Sequence, residues 1–269
     1  MRRIYGVYAN DREIAVGHLG TLDPQAAGVL PVAVGKATRL IALLSDQRKA
    51  YAGVLALGRA TTTQDALGET TAQGEIPEDW ARRLEVAIPS FLGRVEQTPP
   101  MFSAVHHEGR RLYELAREGK SVERKPRSVT IYSIAVIGLE ERAARLRVTC
   151  GEGTYVRTLF ADLGAAIGVP AHMGALVREA SGPFVLSESL LLDEITANPS
   201  AALMPPENVI PFPTIVLDLR EIVDFRAGRV VPLPEGAPAK HVFVRDASRT
   251  LVGVGETHGA LLAPRKVFV

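Results

Sequence analysis

The sequence predicts an α+β protein: a mixed or antiparallel sheet flanked by helices, followed by a small C-terminal β-barrel domain. Strand-like and helix-like segments mix over residues 1–197 without the regular βαβ order that builds a parallel sheet. A proline-rich break at residues 198–206 ends this region. Short β-like segments separated by Gly and Pro follow it, which is typical of a small barrel. We therefore expect two domains, at residues 1–204 and 206–269.

Two segments of the larger domain have the alternation of strands. In residues 51–58, the side chains that share one face are Tyr51, Gly53, Leu55 and Leu57. In residues 145–150, the side chains expected on the inner face are Leu146, Val148 and Cys150. Cys150 is therefore expected to be a buried structural thiol.

Helical spacing follows the second of these strands. The apolar side chains that recur at this spacing are Val156, Leu159, Phe160, Leu163 and Ile167. We expect Thr154 to cap this helix and Gly168 to end it. A shorter helix around residues 112–116 is expected to close at Gly119.

The predicted barrel rests on four short apolar segments after the proline-rich break. They lie at residues 215–217, 241–244, 251–254 and 266–269. Gly and Pro in the intervals between them indicate turns.

Composition limits the function classes that the chain can belong to. Hydrophobic residues make up 46% and charged residues 23% of the 269, as in ordinary globular proteins. No apolar run is long enough for a transmembrane helix, and the N-terminus lacks the apolar core of a signal peptide. The single cysteine excludes an intrachain disulfide and fits a reducing compartment. We expect a cytoplasmic protein, and a monomer because no long heptad pattern is present.

Net charge alone argues weakly against a nucleic-acid-binding protein, because it is only +1. The charges are unevenly distributed, however, with a net +4 in residues 1–60 and +3 in residues 102–130. Arg supplies 25 of the 31 basic residues. This excess suits phosphate contacts and base stacking, and it is equally expected from a GC-rich genome.

The most distinctive segment is GHLGTLDP at residues 17–24, which places Asp23 in a turn rich in glycine. Two interpretations are open from the residues alone. Asp23 is an N-cap with Pro24 at the first helical position, or it is a carboxylate that the turn presents to a cleft.

The longer segment GHLGTLDPQAAGVLPVAVGKATRL at residues 17–40 resembles the catalytic motif of the bacterial tRNA pseudouridine-55 synthases, the TruB family. The resemblance implies a pseudouridine-synthase-like domain and a C-terminal PUA-like RNA-binding module. It implies isomerisation of the uridine at position 55 in the T-loop of tRNA after that base is flipped out. It makes Asp23 the essential residue and requires no metal or redox cofactor.

Lys49-Ala50-Tyr51, followed by LGRATTTQDALG, is similar to a second segment of that family. The resemblance places Tyr51 where a tyrosine stacks on the base and takes the C5 proton. Considered alone, a tyrosine at the head of a strand is more often part of the core. Thr62 stands where the family usually has Asp, and we expect this departure to affect the local turn more than the chemistry.

GTYVR at residues 153–157 matches a third family motif, in which Arg157 would form an ion pair with Asp23 and Tyr155 would line the substrate pocket. Considered alone, Arg157 would cap or solvate the first helical turn, although a cation is unfavourable there. The resemblance also places Leu176 against the uracil face and His18 in the gap that the flipped base leaves. From pattern alone, Leu176 is core and His18 a loop residue.

A further departure from the family concerns the start of the sequence. The family's first strand and its Lys-Pro turn have no counterpart before residues 1–6, which resemble the end of a helix. We expect a form extended upstream to be more stable and more active.

The alternative functions are a catalytically impaired protein that binds or folds tRNA and a guide-RNA-dependent synthase that modifies ribosomal RNA. A carboxylate glycosidase would need a second paired carboxylate, for which Asp65 and Asp162 are the candidates. The pair His106-His107 lacks further ligands at metal-binding spacing.

Overall fold

A computed structural model describes residues 1–11, 13–44, 46–233 and 239–268. The chain forms two compact units. The large-sheet unit comprises Gly20–Pro31 and Asp46–Ser189. The small-sheet unit comprises Met1–Leu19, Val32–Ser45 and Leu190–Val269. The predicted domains divide the chain differently, and their boundary at residue 205 stays a prediction.

The strands follow one another along the described chain as β1 (Val16–His18), β2 (Ala26–Gly28), β3 (Val32–Val34), β4 (Lys49–Leu57), β5 (Arg59–Thr61), β6 (Thr70–Gln73), β7 (Gly93–Gln97), β8 (His106–His107), β9 (Arg110–Arg111), β10 (Arg127–Glu140), β11 (Ala143–Cys150), β12 (Ala171–Ser181), β13 (Phe184–Val185), β14 (Thr214–Val216), β15 (Val231–Pro232), β16 (His241–Arg245), β17 (Leu251–His258) and β18 (Leu261–Val267). The α-helices are α1 (Arg2–Tyr8), α2 (Trp80–Ala87), α3 (Leu112–Arg117), α4 (Val156–Ala166), α5 (Leu192–Ala197) and α6 (Leu219–Arg226). Short 3₁₀-helices span Gly35–Leu43, Ile88–Phe91, Leu186–Glu188 and Pro206–Asn208.

The main sheet of the large-sheet unit has seven strands, six of them in the order β13-β12-β4-β11-β10-β7. Every neighbouring pair on this path is antiparallel, whereas β2 runs parallel beside β12. The predicted mixed sheet is therefore confirmed, and both predicted strands lie at its centre as β4 and β11. The predicted inner faces are buried as well, because period-two alternation turns every second side chain toward the core.

Helices α2 and α4 contribute to one hydrophobic core with this face of the sheet. Gly53 allows α4 to approach closely, since a Cβ atom there would lie 2.9 Å from the ring of Phe160 and 3.0 Å from Leu176. Gly168 follows the helix with a φ of 75°, as predicted. The predicted cap is wrong: Tyr155 is the N-cap residue, and the hydroxyl of Thr154 donates to the carbonyl of Gly151 instead. The short helix that ends before Gly119 is confirmed as α3.

The small-sheet unit contains a five-stranded sheet in the order β14-β16-β17-β18-β15, consistent with a PUA-like module. The four predicted segments overlap β14, β16, β17 and β18, although β18 begins five residues before its predicted segment and Val269 lies outside the described residues. Helix α6, which packs into the core of this sheet, was not predicted. Its signal was present in the sequence, because Asp218 and Glu221 form a capping box in front of the buried Ile222 and Phe225.

None of the helices in the described residues has both the length and the apolar character that crossing a membrane demands.

Candidate active site

Asp23 lies in a tight turn that leads into a strand. Its carbonyl accepts a hydrogen bond of 2.8 Å from the amide of Ala26, where β2 begins. No helix starts here, so the N-cap interpretation of Asp23 is wrong. Its carboxylate is 30% exposed, and the turn presents it at an accessible surface of the large-sheet unit.

Arg157 binds this carboxylate through two parallel hydrogen bonds. Its Nε donates to Oδ2 of Asp23 at 2.8 Å and its Nη2 donates to Oδ1 at 2.9 Å. The Arg157 side chain is only 4% exposed. The ion pair that the resemblance implied is thus present, and its bidentate geometry fixes the orientation of the carboxylate.

Two further donors of Arg157 bind main-chain oxygens from two other segments. Nη1 donates to the carbonyl of Thr63 at 2.9 Å, and Nη2 also donates to the carbonyl of Phe102 at 3.0 Å. These contacts explain a cation in the first turn of α4, where the helix dipole alone would disfavour it. Arg157 therefore joins three stretches of chain that are distant in sequence.

A second carboxylate lies on the other side of Arg157. The Oδ2 atom of the buried Asp65 is 4.0 Å from Nη1 of Arg157. The other oxygen of Asp65 accepts hydrogen bonds from the hydroxyl of Thr63 at 2.5 Å and the amide of Leu67 at 3.0 Å. The sequence suggested Asp65 only as a possible partner carboxylate of a glycosidase. The Thr-rich turn around it was the signal that could have indicated its place beside Arg157.

The departure at Thr62 affects this turn rather than the carboxylates. Its amide donates to the carbonyl of Glu69 at 2.9 Å, and its hydroxyl accepts from the amide of Glu69 at 3.2 Å. Thr62 thus closes the base of the turn that carries Asp65.

Tyr51 and Leu176 lie on neighbouring strands in the large-sheet unit. Tyr51 is opposite Arg178 in the register of β4 and β12, and Leu176 is opposite Gly53. Both are buried, at 8% and 5% exposure. Burial, above all other causes, raises the pKa of the Tyr51 phenol to about 12, so this hydroxyl is protonated at neutral pH.

Tyr155 is half-buried, and the side chain of Gln97 holds its main chain on both sides. The amide nitrogen of Gln97 donates to the carbonyl of Tyr155 at 3.0 Å, and its Oε1 accepts from the Tyr155 amide at 2.7 Å. Gln97 was missed at the sequence level, and no local motif marks it. Its contacts fix the start of α4 directly before Arg157.

His18 belongs to the small-sheet unit. It is an exposed residue on β1, opposite Val32 of β3. Its implied role at the flipped base stays a prediction, as do the roles of Asp23, Tyr51, Tyr155, Arg157 and Leu176.

Comparison with known proteins gives a family match and close relatives. Residues 3–156 match the family model described as TruB family pseudouridylate synthase (N terminal domain). The tRNA pseudouridine synthase B of Dehalococcoides mccartyi is 40% identical over 277 residues, covering 98% of this chain and 92% of the relative. The protein of the same name from Streptococcus pyogenes serotype M3 is 40% identical over 276 residues, covering 96% and 91%.

Among solved structures, the chain is similar to a protein in the crystal structure of a Cbf5-Nop10-Gar1 complex. The TM-score is 0.61 at 27% identity, and the match covers 95% of this chain and 77% of that one.

Proposed function

The chain belongs to the TruB family of pseudouridylate synthases, and we propose that it isomerises one uridine of tRNA to pseudouridine with Asp23 as its catalytic carboxylate. It is an enzyme of the isomerase class. The more specific target in this proposal is the uridine at position 55 of the T-loop. Loop uridines suit such an enzyme because their bases are already partly unstacked.

The observation that carries the assignment of Asp23 is its bidentate contact with Arg157. The buried guanidinium places a positive charge directly beside the carboxylate, and the planar fork leaves the carboxylate one orientation. Its side chain is 30% exposed, so a substrate can reach it. This arrangement supplies one aimed negative charge, which is what a reaction at the sugar or the base requires.

The reaction exchanges one bond of the nucleoside for another. The N1–C1′ bond breaks, the uracil turns, and a C5–C1′ bond forms while the proton on C5 is lost and N1 gains one. No electrons are transferred to or from the nucleoside overall. The proposal therefore includes no redox cofactor. It also includes no metal, because Asp23 is the proposed catalytic group.

The remaining residues of the proposed site surround the base. Tyr51 and Leu176, on adjacent strands, pack against the uracil, and Tyr155 lines the pocket at the start of α4. Because the phenol of Tyr51 is protonated at neutral pH, it can pass on a proton from C5 only by releasing its own. His18 takes the space that the flipped base vacates.

We include in the proposal that the protein acts on tRNA as a monomer in the cytoplasm. The residues that place Asp23, Arg157, Tyr51 and Leu176 all belong to one unit of one chain, so a second copy is not needed to complete this part of the site. A tRNA substrate and a single buried cysteine fit a reducing cytoplasm.

The two alternative functions are less well supported. The ordered Asp23–Arg157 pair argues against a protein that has lost catalysis. The 40% identity over nearly the whole chain to proteins named tRNA pseudouridine synthase B favours tRNA over a guide-RNA-dependent reaction on ribosomal RNA.

The test is to map the product on an unmodified tRNA transcript incubated with the purified protein. Chemical labelling that stops reverse transcription at pseudouridine should mark one T-loop uridine. A transcript in which that uridine is replaced by cytidine is the matched control and should stay unmarked. Labelling at another position would contradict the proposed target, and no labelling at all would contradict the proposed activity.

A further inference from the structure

Arg178 is a buried cation whose side chain reaches the loop that carries Asp23. It is 1% exposed and is among the largest fully buried side chains of the described structure. Its Nε donates to the carbonyl of Val29 at 2.7 Å, and its Nη2 donates to the carbonyl of Gly20 at 3.0 Å. Both of these hydrogen bonds go to main-chain oxygens, whereas Arg157 pairs with a carboxylate. Because burying a guanidinium is costly unless its donors are satisfied, the two carbonyls and the side chain hold one another in place.

The two carbonyls lie on either side of Asp23 in the chain. Gly20 precedes Asp23 by three residues, and Val29 follows β2. The amide of Val29 also donates to the main-chain oxygen of Arg178 at 2.9 Å. At Gly28 the two chains are so close that a Cβ atom would lie 2.2 Å from that same oxygen. Arg178 therefore holds both ends of the loop that carries Asp23. Its side chain binds the carbonyl of Gly20 before Asp23, and its side chain and main chain both bind Val29 after it.

Arg178 also stands between this loop and Tyr51. In the sheet, Gly28 is its neighbour on the parallel strand β2, and Tyr51 is its partner on the antiparallel strand β4. The segments that carry Asp23 and Tyr51 thus lie on opposite sides of Arg178.

We propose that Arg178 is a positioning residue for the isomerisation: it sets the loop that aims Asp23 relative to Tyr51 without touching the substrate. This inference rests on the proposed function. A guanidinium is suited to this task because its planar fork reaches two carbonyls at once. A lysine would keep the positive charge, but its single ammonium group cannot reach the carbonyls of both Gly20 and Val29. Since Arg178 is buried beneath the loop, its replacement acts on turnover and not on tRNA binding.

The test compares Arg178→Lys with the wild type in tritium release from tRNA that carries tritium at C5 of uridine. We expect kcat to fall on the order of a hundredfold, since a small misplacement of a reacting group has this effect. KM and the Kd for tRNA should change less than about threefold. Arg145→Lys, on the exposed surface of the same sheet, is the control and should match the wild type. Guanidinium ion added to Arg178→Ala should restore part of the turnover, which a purely structural defect would not show.

Gly20→Ala keeps the proposal testable if the Arg178 variants do not fold. The φ of Gly20 is 101°, which strains an alanine and shifts the carbonyl that Arg178 holds. This variant should keep its melting temperature within a few degrees and lose turnover. Wild-type kcat in a folded Arg178→Lys or in Gly20→Ala would overturn the role of Arg178, as would parallel losses of kcat and tRNA affinity. If the wild type itself releases no tritium, the proposed function fails instead.

Discussion

Arg157 and Asp23, 134 residues apart in the chain, meet in two parallel hydrogen bonds of 2.8 and 2.9 Å. The guanidinium is buried and the carboxylate is partly open, so the pair is anchored on one side and accessible on the other. The carbonyls of Thr63 and Phe102 accept two further hydrogen bonds from the guanidinium. This arrangement makes Arg157 the residue through which the surrounding chain segments determine where the Asp23 carboxylate lies.

Arg157→Lys tests the geometry of the pair separately from its charge. Lysine keeps the positive charge, but it cannot donate two parallel bonds to Asp23 and also reach both carbonyls. We expect kcat for tritium release to fall at least about a hundredfold. Arg147→Lys is the matched control, because Arg147 makes a similar fork with Glu179 on the exposed surface. Equal turnover in the two variants would show that the fork to Asp23 is dispensable.

Tyr51→Phe separates packing against the base from proton transfer. Phenylalanine keeps the ring in its buried position and removes only the hydroxyl. We expect the Kd for tRNA to stay within about threefold, while single-turnover pseudouridine formation falls by roughly a hundredfold or more, the usual contribution of a proton-transfer group. Unchanged turnover in Tyr51→Phe would restrict Tyr51 to a packing role.

Gly53→Ala probes the contact between the central strand and α4. The added Cβ would lie about 3 Å from Phe160 and Leu176, and both neighbours are buried. Overpacking of this kind lowers the free energy of unfolding by about 1–3 kcal/mol, which urea unfolding measures. Gly174→Ala on β12 is the control, because its nearest atoms would be at ordinary distances of 3.4 Å or more. A Gly53→Ala variant as stable as Gly174→Ala would show that α4 does not require the glycine.

Cys150 should be inert in the folded protein. It is fully buried, and burial, as the largest cause, raises the pKa of its thiol to about 11. Since the thiolate is the reactive form, we expect labelling by a thiol reagent at mildly alkaline pH to be at least on the order of a hundredfold slower than for an exposed cysteine. Labelling should become fast in urea, where it reports on unfolding of the large-sheet unit. Rapid stoichiometric labelling of the native protein would contradict the burial of this strand.

The alternating patterns of β4 and β11 were predictable because each strand has one face in the core, which leaves a period of two in the sequence. The spacing of α4 was predictable for the same reason. Its cap was not, because Thr154 binds the carbonyl of Gly151 and the start of the helix is held by Gln97 from a distant strand. The capping box of α6 was a local signal that was overlooked.

The site shows the same division between local and distant determinants. The resemblance in three short motifs pointed to Asp23, Tyr51 and Arg157. No local pattern marks the position of Arg178, since it depends on partners far away in the chain. The Thr-rich turn marks Asp65, but its approach to Arg157 depends on a residue 92 positions away. A buried arginine in a strand looks like an error in the alternation until the carbonyls that it binds are known.

The central claim, that Asp23 is the catalytic carboxylate of a tRNA uridine isomerase, is tested most directly by tritium release from C5 of uridine in a tRNA transcript. Forming the C5–C1′ bond releases this tritium to water. The wild type should release it, Asp23→Asn should release none above background while still binding tRNA, and Asp162→Asn should match the wild type. Asp162 is the matched control because it is a carboxylate on the helix that carries Arg157, and its side chain is exposed. Release by Asp23→Asn at the wild-type rate would contradict the account.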